Sequence, residues 1–353
     1  MPRRTFTQLL GALSATPNSD VALITHADGP HLSSYIEGLV KSPEVNKVWL
    51  CDAAAEPQVR KGLGNKLAGV FKNPAELFNA HKPALAIITM EAALAPPAID
   101  AALNAGCHVM AEKPACVRAE DFAPLVAKAN NRKQHLMLAF SNRVDPVMLK
   151  ARSLVQSGTI GKVYGMEMHT IADQERLTKP DYHQTWTAKK SRAGGGHLIW
   201  LGIHWLDLAV YITGSPITQV AGFTGNVGGQ PIDTEDSAAV VLKFANGTFG
   251  TLTSGYYIDR GKHLFIKVWG SEGWLEIHHD RPENPLEWYS NKQRVVQKLG
   301  PTKPGGYTPW VQHIVRASIG LEHAVLSADE SLHALKVVFA GYRAASSGRT
   351  QSV

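Results

Sequence analysis

The chain has 353 residues, of which 44% are hydrophobic and 19% are charged, and its formal net charge is +6. That length fits two domains of ordinary size, and that composition excludes a largely disordered protein. The basic residues are scattered and cluster only in pairs, so no nucleic-acid partner is expected. No apolar run reaches the roughly 20 residues that cross a bilayer, so no membrane partner is expected. The mild positive field can still attract an anionic cofactor or substrate.

The first 20 residues form an extension ahead of the first predicted strand. Residues 2–6 resemble a twin-arginine export signal, and a short apolar run follows them. The alternative is a short amphipathic helix, whose apolar side chains are Phe6, Leu9, Leu10 and Leu13. Because little chain precedes the first strand, we expect a cytoplasmic protein, with periplasmic export as the alternative.

Short apolar runs alternate with helical patterns through the first 142 residues. The predicted strands cover residues 21–25, 48–51, 84–88, 108–111 and 135–140. One helix is predicted after Pro30, and another over residues 96–105 ends at Gly106. This alternation predicts a doubly wound parallel sheet, in which ligands bind beyond the carboxyl ends of the strands. The side chains at such ends are those of Asp52, Thr89, Glu112 and Lys113.

Two features of this first half bear on a dinucleotide. A carboxylate after the second strand, here Asp52, can accept both ribose hydroxyls of an adenosine, which favours NAD over NADP. The alternative for Asp52 is an ordinary helix N-cap. The phosphate turn usually reads G-x-G-x-x-G, but residues 25–30 retain only Gly29. His26, Gly29 and the free N–H groups of the following helix remain the candidate contacts there.

The second half contains two predicted hairpins. Residues 238–244 and 248–257 flank Asn246-Gly247, the dipeptide that favours a type I′ turn. Residues 265–269 and 274–277 form the other pair. These hairpins predict a sheet domain over residues 143–353, after a first domain over residues 1–142.

Several blocks of the sequence resemble the Gfo/Idh/MocA oxidoreductases, the glucose–fructose oxidoreductase and inositol dehydrogenase family. Ala111-Glu112-Lys113-Pro114 resembles the E-K-P signature of that family, and residues 193–208 resemble its glycine-rich turn and active-site helix. Ser141-Asn142-Arg143 and residues 345–349 are also similar. The resemblance covers nearly all of the chain after about residue 20. It implies an α/β protein, with an N-terminal Rossmann domain and a second α/β domain that has a large open, mostly antiparallel sheet. Such sheets often form subunit contacts, which implies a homodimer or tetramer.

The resemblance also assigns chemistry to particular residues. It implies that Lys113 points into the crevice and hydrogen-bonds the reacting oxygen, and that Glu112 lies near the nicotinamide ribose. His204 would accept the hydroxyl proton, a task that suits the ordinary pKa of histidine. The alternative for Lys113 is a surface lysine, the alternative for Glu112 is an ordinary ion pair, and the alternative for His204 is a core histidine. The cofactor would be NAD, and the substrates would be sugars, glycosides or cyclitols.

The predicted active-site helix departs from the family pattern. One face carries His197, Trp200, His204, Asp207 and Tyr211, while apolar residues occupy the opposite face. The family has an aspartate four residues before the histidine, and this chain has Trp200 there. The side chains that can substitute for it, or contact the substrate, are those of Tyr182, His183, His197 and Asn142. Trp200 can stack on a sugar ring or belong to the core.

No metal site is predicted. The cysteines lack metal spacing, and the adjacent side chains of His278, His279 and Asp280 point in opposite directions if they lie on a strand.

The sequence leaves three functions open. The first is an NAD-dependent dehydrogenase of sugar or cyclitol hydroxyls. The second is redox-assisted glycoside cleavage, in which transient ring oxidation permits elimination and no NADH accumulates. The third is a non-catalytic sensor that binds NAD, which the altered phosphate turn permits.

Overall fold

The structure is a computed structural model, and it describes residues 18–26, 29–278, 280, 285–297 and 306–353. Both interpretations of residues 2–13, as an export signal or an amphipathic helix, lie outside the described residues. No described helix is long and apolar enough to cross a membrane.

A six-stranded parallel sheet forms the core of the N-terminal domain. Its spatial order is β3-β2-β1-β4-β5-β6, so the order reverses between β1 and β4. The strands are β1 (Ser19–Thr25), β2 (Val45–Cys51), β3 (Leu67–Phe71), β4 (Leu85–Thr89), β5 (His108–Ala111) and β6 (Leu136–Leu138). The helices around it are α1 (Leu32–Val40), α2 (Glu56–Leu63), α3 (Pro74–Ala80), α4 (Ala95–Asn104) and α5 (Ala119–Asn131). This arrangement confirms the predicted doubly wound fold.

The sequence prediction missed one strand of this sheet. It counted residues 84–88 as the third strand, whereas the structure has β3 at Leu67–Phe71 before it. β3 is an edge strand, and its last three residues are only half-buried. An edge strand needs no continuous apolar run, so the pattern that indicates buried strands is absent there.

A nine-stranded sheet forms the second domain, in the order β14-β13-β12-β11-β7-β10-β9-β8-β15. β7 and β10 pair in parallel, and the other neighbours pair antiparallel. The strands are β7 (Val163–Asp173), β8 (Ile217–Gly225), β9 (Ser237–Phe244), β10 (Phe249–Ile258), β11 (Lys262–Gly270), β12 (Gly273–His278), β13 (Leu286–Ser290), β14 (Gln293–Gln297) and β15 (Gln351–Ser352). The predicted large, mostly antiparallel sheet is therefore confirmed.

The turn between β9 and β10 differs from the predicted type I′ turn. Phe244 donates its N–H to the Thr248 carbonyl, which leaves a three-residue loop. Gly247 has a φ of 86°, but Asn246 does not adopt a positive φ, which a type I′ turn requires at both central positions. The extra loop residue therefore selects a different turn, with glycine alone in the left-handed region.

The remaining helices follow β6 in the chain. They are α6 (Pro146–Gln156), α7 (Pro180–Gln184), α8 (Lys190–Ala193), α9 (Ile203–Thr213), α10 (Tyr307–Ser318) and α11 (Ala328–Ser347). The predicted boundary after residue 142 falls inside a 3-10 turn at Ser141–Val144. α10 nevertheless returns to the first domain, where a Cβ on Gly38 of α1 would lie 2.6 Å from Val311. The C-terminal part of the chain therefore helps to form the cleft between the domains.

Candidate active site

Lys113 follows β5 and lies under the indole of Trp200. The Lys113 side chain is 1% exposed, and its Nζ donates to the Trp200 carbonyl oxygen at 2.6 Å. Nζ also lies 3.8 Å from the centroid of the Trp200 ring and 4.0 Å from Glu112 Oε1. Burial lowers the pKa of Lys113 to about 8; Glu112 opposes this effect and Arg176 adds to it. This lysine is therefore a buried group whose pKa is lowered to about 8.

Glu112 is buried, and the side chains around it come from α1, from the residue before α1 and from the start of α10. His31 Nδ1 lies 3.1 Å from its carboxylate, and the Tyr35 hydroxyl donates to the same oxygen. The Tyr307 hydroxyl, at the start of α10, lies 3.1 Å from His31 Nδ1. Burial alone raises the pKa of Glu112, but His31, Lys113 and Tyr35 together bring it below its usual value. Glu112 is therefore held as a carboxylate.

Glu235 fixes the glycine-rich turn ahead of α9. Its carboxylate accepts from the N–H groups of Gly196 at 2.6 Å and Leu198 at 3.0 Å, and from the Tyr342 hydroxyl at 2.8 Å. A Cβ on Gly196 would lie 1.9 Å from the Glu235 carbonyl oxygen, so only glycine fits there. The carboxylate thus satisfies the first free N–H groups of this helical segment.

The active-site helix begins with a π-helical turn, Leu198–Gly202, which continues directly into α9. A π turn adds a residue to the helical repeat and often lies at functional sites. The residues predicted to share one polar face therefore fall into two groups with different surroundings. Asp207 forms a bidentate pair with Arg143 in the buried interior, and the Tyr211 hydroxyl donates to the Arg143 carbonyl at 3.3 Å. Asp207 and Tyr211 therefore hold the helix in place, while residues earlier in the helix contact Lys113.

The two histidines of this helix have different surroundings. His204 is 9% exposed and packs edge-on against Phe140, with 5.8 Å between the ring centroids. His197 is fully buried, its Nδ1 lies 2.7 Å from Ser254 Oγ, and its ring packs edge-on against Tyr256 at 4.3 Å. Burial, followed by the charges of Arg176 and Lys113, lowers the pKa of His197 to about 3. His197 is therefore neutral throughout the physiological range.

Tyr182 and His183 lie in the segment between β7 and the glycine-rich turn. Tyr182 packs with Leu177 and Tyr256, and His183 Nε2 hydrogen-bonds the Leu177 carbonyl at 2.6 Å. Arg176 lies in the same segment, with its guanidinium carbon 5.7 Å from the centroid of the Tyr256 ring. Tyr182 is thus near the His197 group, whereas His183 stabilises the fold of the segment.

Trp200 is half-buried and packs against three protein side chains. One face of the half-buried indole covers Lys113, and the ring meets Trp186 edge-on at 5.7 Å. The His31 imidazole is roughly parallel to the indole, with 6.1 Å between centroids. Trp200 therefore spans the cleft, from the active-site helix to the start of α1. In this arrangement it packs against protein groups.

Asn142 lies apart from the His197 group. It lines a cavity of about 280 Å³ beside Tyr307 and Pro309, next to the Glu112 network.

The predicted cofactor residues gather at the carboxyl ends of β1, β2 and β4. A Cβ on Gly29 would lie 2.1 Å from Thr25 Oγ1 and 2.7 Å from the Thr89 carbonyl oxygen, so the turn closes tightly there. The Thr89 hydroxyl donates to the Pro30 carbonyl. His26 Nε2 accepts from the Glu91 N–H at 2.8 Å.

Asp52 follows β2, and its Oδ1 accepts from the Ala54 N–H at 2.8 Å. The capping role considered for Asp52 is therefore present, and its second carboxylate oxygen remains at the strand end.

Sequence reasoning missed several residues of this site. They are His31, Tyr35, Arg176, Glu235, Tyr256 and Tyr307. Tyr35 lies on the apolar face of α1 and follows from its periodicity as a core residue, but no local pattern identifies the others. Among the described residues, no group of three or more His, Cys, Asp or Glu side chains is arranged to hold a metal ion.

Two family models match the chain. The model for an oxidoreductase family with an NAD-binding Rossmann fold matches residues 29–140, and the GFO/IDH/MocA C-terminal domain matches residues 148–276. D-glucoside 3-dehydrogenase of Escherichia coli is 29% identical over 258 residues, which are 69% of this chain and 70% of that protein. Levoglucosan dehydrogenase of Pseudarthrobacter phenanthrenivorans is 25% identical over 238 residues, and the match spans 60% of each chain.

The fold also matches solved structures over nearly its whole length. A levoglucosan dehydrogenase in complex with NADH and levoglucosan aligns with a TM-score of 0.84 and 18% identity. That alignment covers 95% of this chain and 99% of the other.

Proposed function

Because the chain belongs to the Gfo/Idh/MocA family of oxidoreductases, we propose that it is an NAD-dependent dehydrogenase of a sugar, glycoside or cyclitol hydroxyl. The observation that carries this proposal is the 2.6 Å contact between Lys113 Nζ and the Trp200 carbonyl. It joins the carboxyl end of β5 to the helix that carries His204. This contact supports the proposal that Lys113 and His204 act on the same substrate hydroxyl.

The residues at the strand ends fit a dinucleotide. The turn after β1 leaves no room for a side chain at Gly29, which is the packing that a close backbone approach requires. His31 precedes α1 without capping it through its side chain, so the first N–H groups of that helix are available to a phosphate. Asp52 follows β2, the position from which a carboxylate can accept ribose hydroxyls. These features support NAD binding although two glycines of the usual motif are absent.

Bound NAD supplies the hydride acceptor, and the chain's own residues handle the substrate hydroxyl. Lys113, as the ammonium, donates a hydrogen bond to the hydroxyl oxygen once it exchanges its bond to the Trp200 carbonyl. His204 accepts the hydroxyl proton at an imidazole nitrogen. The Glu112 carboxylate stabilises the ammonium from the opposite side, and the indole of Trp200 excludes water from it.

Homo-oligomer formation is the second part of the proposal. Phe223, Val241, Phe249 and Trp269 are exposed, and the strand register places them on one face of the large sheet. Exposed apolar surface of this kind is typical of protein interfaces. We place the protein in the cytoplasm, which its three free, buried cysteines support.

The test begins with calorimetric titration of nucleotide-free protein with NAD and NADP. We expect micromolar NAD binding and much weaker NADP binding. A panel of sugars and cyclitols is then screened for NADH formation, with product analysis to detect glycoside cleavage. Lys113→Met and His204→Gln are expected to lower kcat by about 10²- to 10⁴-fold. The controls are Lys336→Met and His323→Gln, which change exposed residues outside the cleft. Absence of NAD binding, or full activity in both catalytic variants, contradicts the proposal.

A further inference from the structure

Arg176 places a positive charge beside the proposed substrate site. It precedes Leu177 in a 3-10 turn after β7, and its side chain is exposed. Its guanidinium carbon lies 5.7 Å from the centroid of the Tyr256 ring. Within the described part of the chain, Arg176 has no carboxylate at ion-pair distance. Its charge is therefore available to a ligand.

His197 presents a second polar group at the same place. Its ring packs against Tyr256, and its Nδ1 is hydrogen-bonded to Ser254 Oγ. Its Nε2 is buried and has no hydrogen-bond partner among the described residues. A buried polar atom without a partner is costly, so such an atom in a cleft indicates a missing ligand. With the Ser254 hydroxyl donating to Nδ1, the neutral ring offers an N–H donor at Nε2.

The carboxylates near this group are already committed. Glu112 is bonded to His31 and Tyr35, on the side of Lys113 that faces α1. Glu235 is bonded to the turn N–H groups and to Tyr342. The position where the family has an aspartate holds Trp200, which offers Lys113 only a neutral carbonyl and a ring face. Glu112 offsets the charge of Lys113 at 4.0 Å, whereas Arg176 has no carboxylate at ion-pair distance among the described residues.

We propose that Arg176 and His197 bind an anionic substituent of the substrate, so that the substrate is an acidic sugar bearing a carboxylate or a phosphate. This inference rests on the proposed function and adds its substrate class. The guanidinium offers two parallel N–H donors to an oxyanion, and His197 Nε2–H offers a third donor. Both donors lie against the Tyr256 ring. Oxidation takes place at a hydroxyl carbon of the same sugar, next to Lys113.

The experiment compares glucose, glucuronate and glucose 6-phosphate as ligands of the NAD-loaded protein, by calorimetry and by kcat/KM. Inorganic phosphate is titrated as a probe without a sugar. We expect the Arg176→Gln variant to weaken binding of the preferred anion about tenfold to a hundredfold, with little change for glucose. Arg176→Lys retains the positive charge but loses the two parallel N–H donors. Its affinity for the anion is therefore expected to lie between those of the unmodified protein and Arg176→Gln. Arg349→Gln, which removes an exposed arginine near the C-terminus, is the control for net charge.

The variant His197→Phe tests the second donor. It keeps an aromatic ring against Tyr256 but removes the N–H group. We expect it to weaken anion binding by about tenfold. Because His197 stays neutral, anion binding to the unmodified protein is expected not to fall as the pH rises through the ordinary range of histidine.

The arms of the experiment separate the possible outcomes. Tighter binding of glucuronate assigns a carboxylate, and tighter binding of glucose 6-phosphate or inorganic phosphate assigns a phosphate. The inference is overturned if glucuronate, glucose 6-phosphate and inorganic phosphate each bind the unmodified protein no more tightly than they bind the Arg176→Gln variant. NADH formation from neutral sugars in that case leaves the proposed function intact. Absence of NAD binding contradicts the proposed function, and the anion titrations can then be repeated without cofactor.

Discussion

Replacing Trp200 with aspartate tests how the pKa of Lys113 is set. The change places a carboxylate where the family resemblance expects one, close to an ammonium that now has only a carbonyl and an indole ring above it. The pKa of Lys113 is lowered from 10.5 to about 8. A shift of that size corresponds to about 3 kcal/mol of destabilisation of the charged form.

The expected magnitude follows from the distance. An opposite charge within about 4–6 Å typically raises the pKa of a cation by about 1–3 units, and loss of the indole also admits water. Trp200→Asp is therefore expected to bring the pKa of Lys113 to about 9–11. Trp200→Leu keeps the apolar cover but loses the ring face, so its Lys113 pKa is expected to stay at or below about 8. The backbone carbonyl of residue 200 is common to both variants, which makes them a matched pair.

The pKa can be measured without activity, from the pH dependence of trace acetylation of Lys113, followed by mass spectrometry. Activity gives a second readout. The ammonium form donates to the substrate oxygen, so activity is present below the Lys113 pKa and is lost as the pH rises through it. The fall of kcat/KM at high pH should therefore move upward in Trp200→Asp only. Equal labelling midpoints in the two variants would show that the side chain at position 200 does not control this lysine.

Three further predictions concern the scaffold and the cofactor. Arg143→Met leaves Asp207 as an unpaired buried charge and is expected to lower the free energy of unfolding by about 3–5 kcal/mol in urea titrations; a loss below 1 kcal/mol would contradict the pairing. Gly29→Ala is expected to abolish measurable NAD binding in calorimetry, whereas Gly225→Ala, whose Cβ would meet only Val227 Cγ2 at 4.0 Å, should bind NAD normally. Asp52→Ala is expected to weaken NAD binding by about tenfold and to reduce the difference in affinity between NAD and NADP. An unchanged ratio of the two affinities would show that Asp52 does not contact the ribose.

The parts of the fold that followed from sequence are those governed by local pattern. β1, β4 and the β11–β12 hairpin are apolar runs bounded by turn residues, so each could be located from its own sequence. β3 was missed because an edge strand is only half-buried and lacks that signal. The turn at Gly247 was misassigned because loop length depends on the register of two strands, which the Asn-Gly dipeptide alone does not fix.

The candidate site shows the same limit at longer range. Glu112 and Lys113 could be predicted because the carboxyl ends of parallel strands meet at one edge. Their partners could not. Tyr307 lies 276 residues from His31 and reaches it only because α10 packs back onto α1. Local sequence periodicity cannot predict that contact, because the contact depends on how α10 packs against the first domain.

The departure at Trp200 connects the pKa of Lys113 with the charge of the proposed substrate. A site with a carboxylate at that position could pair it with Lys113 and accept a neutral sugar without excess charge. Here the indole covers the lysine but provides no negative charge, and Arg176 adds a further positive charge nearby. Glu112 lies 4.0 Å from Lys113, but Arg176 has no carboxylate at ion-pair distance among the described residues, so the pair of cations favours an anion beside Arg176 in these low-dielectric surroundings. An acidic sugar would supply that anion only while bound, so substrate binding itself would raise the pKa of Lys113 and keep it in the ammonium form that the reaction uses.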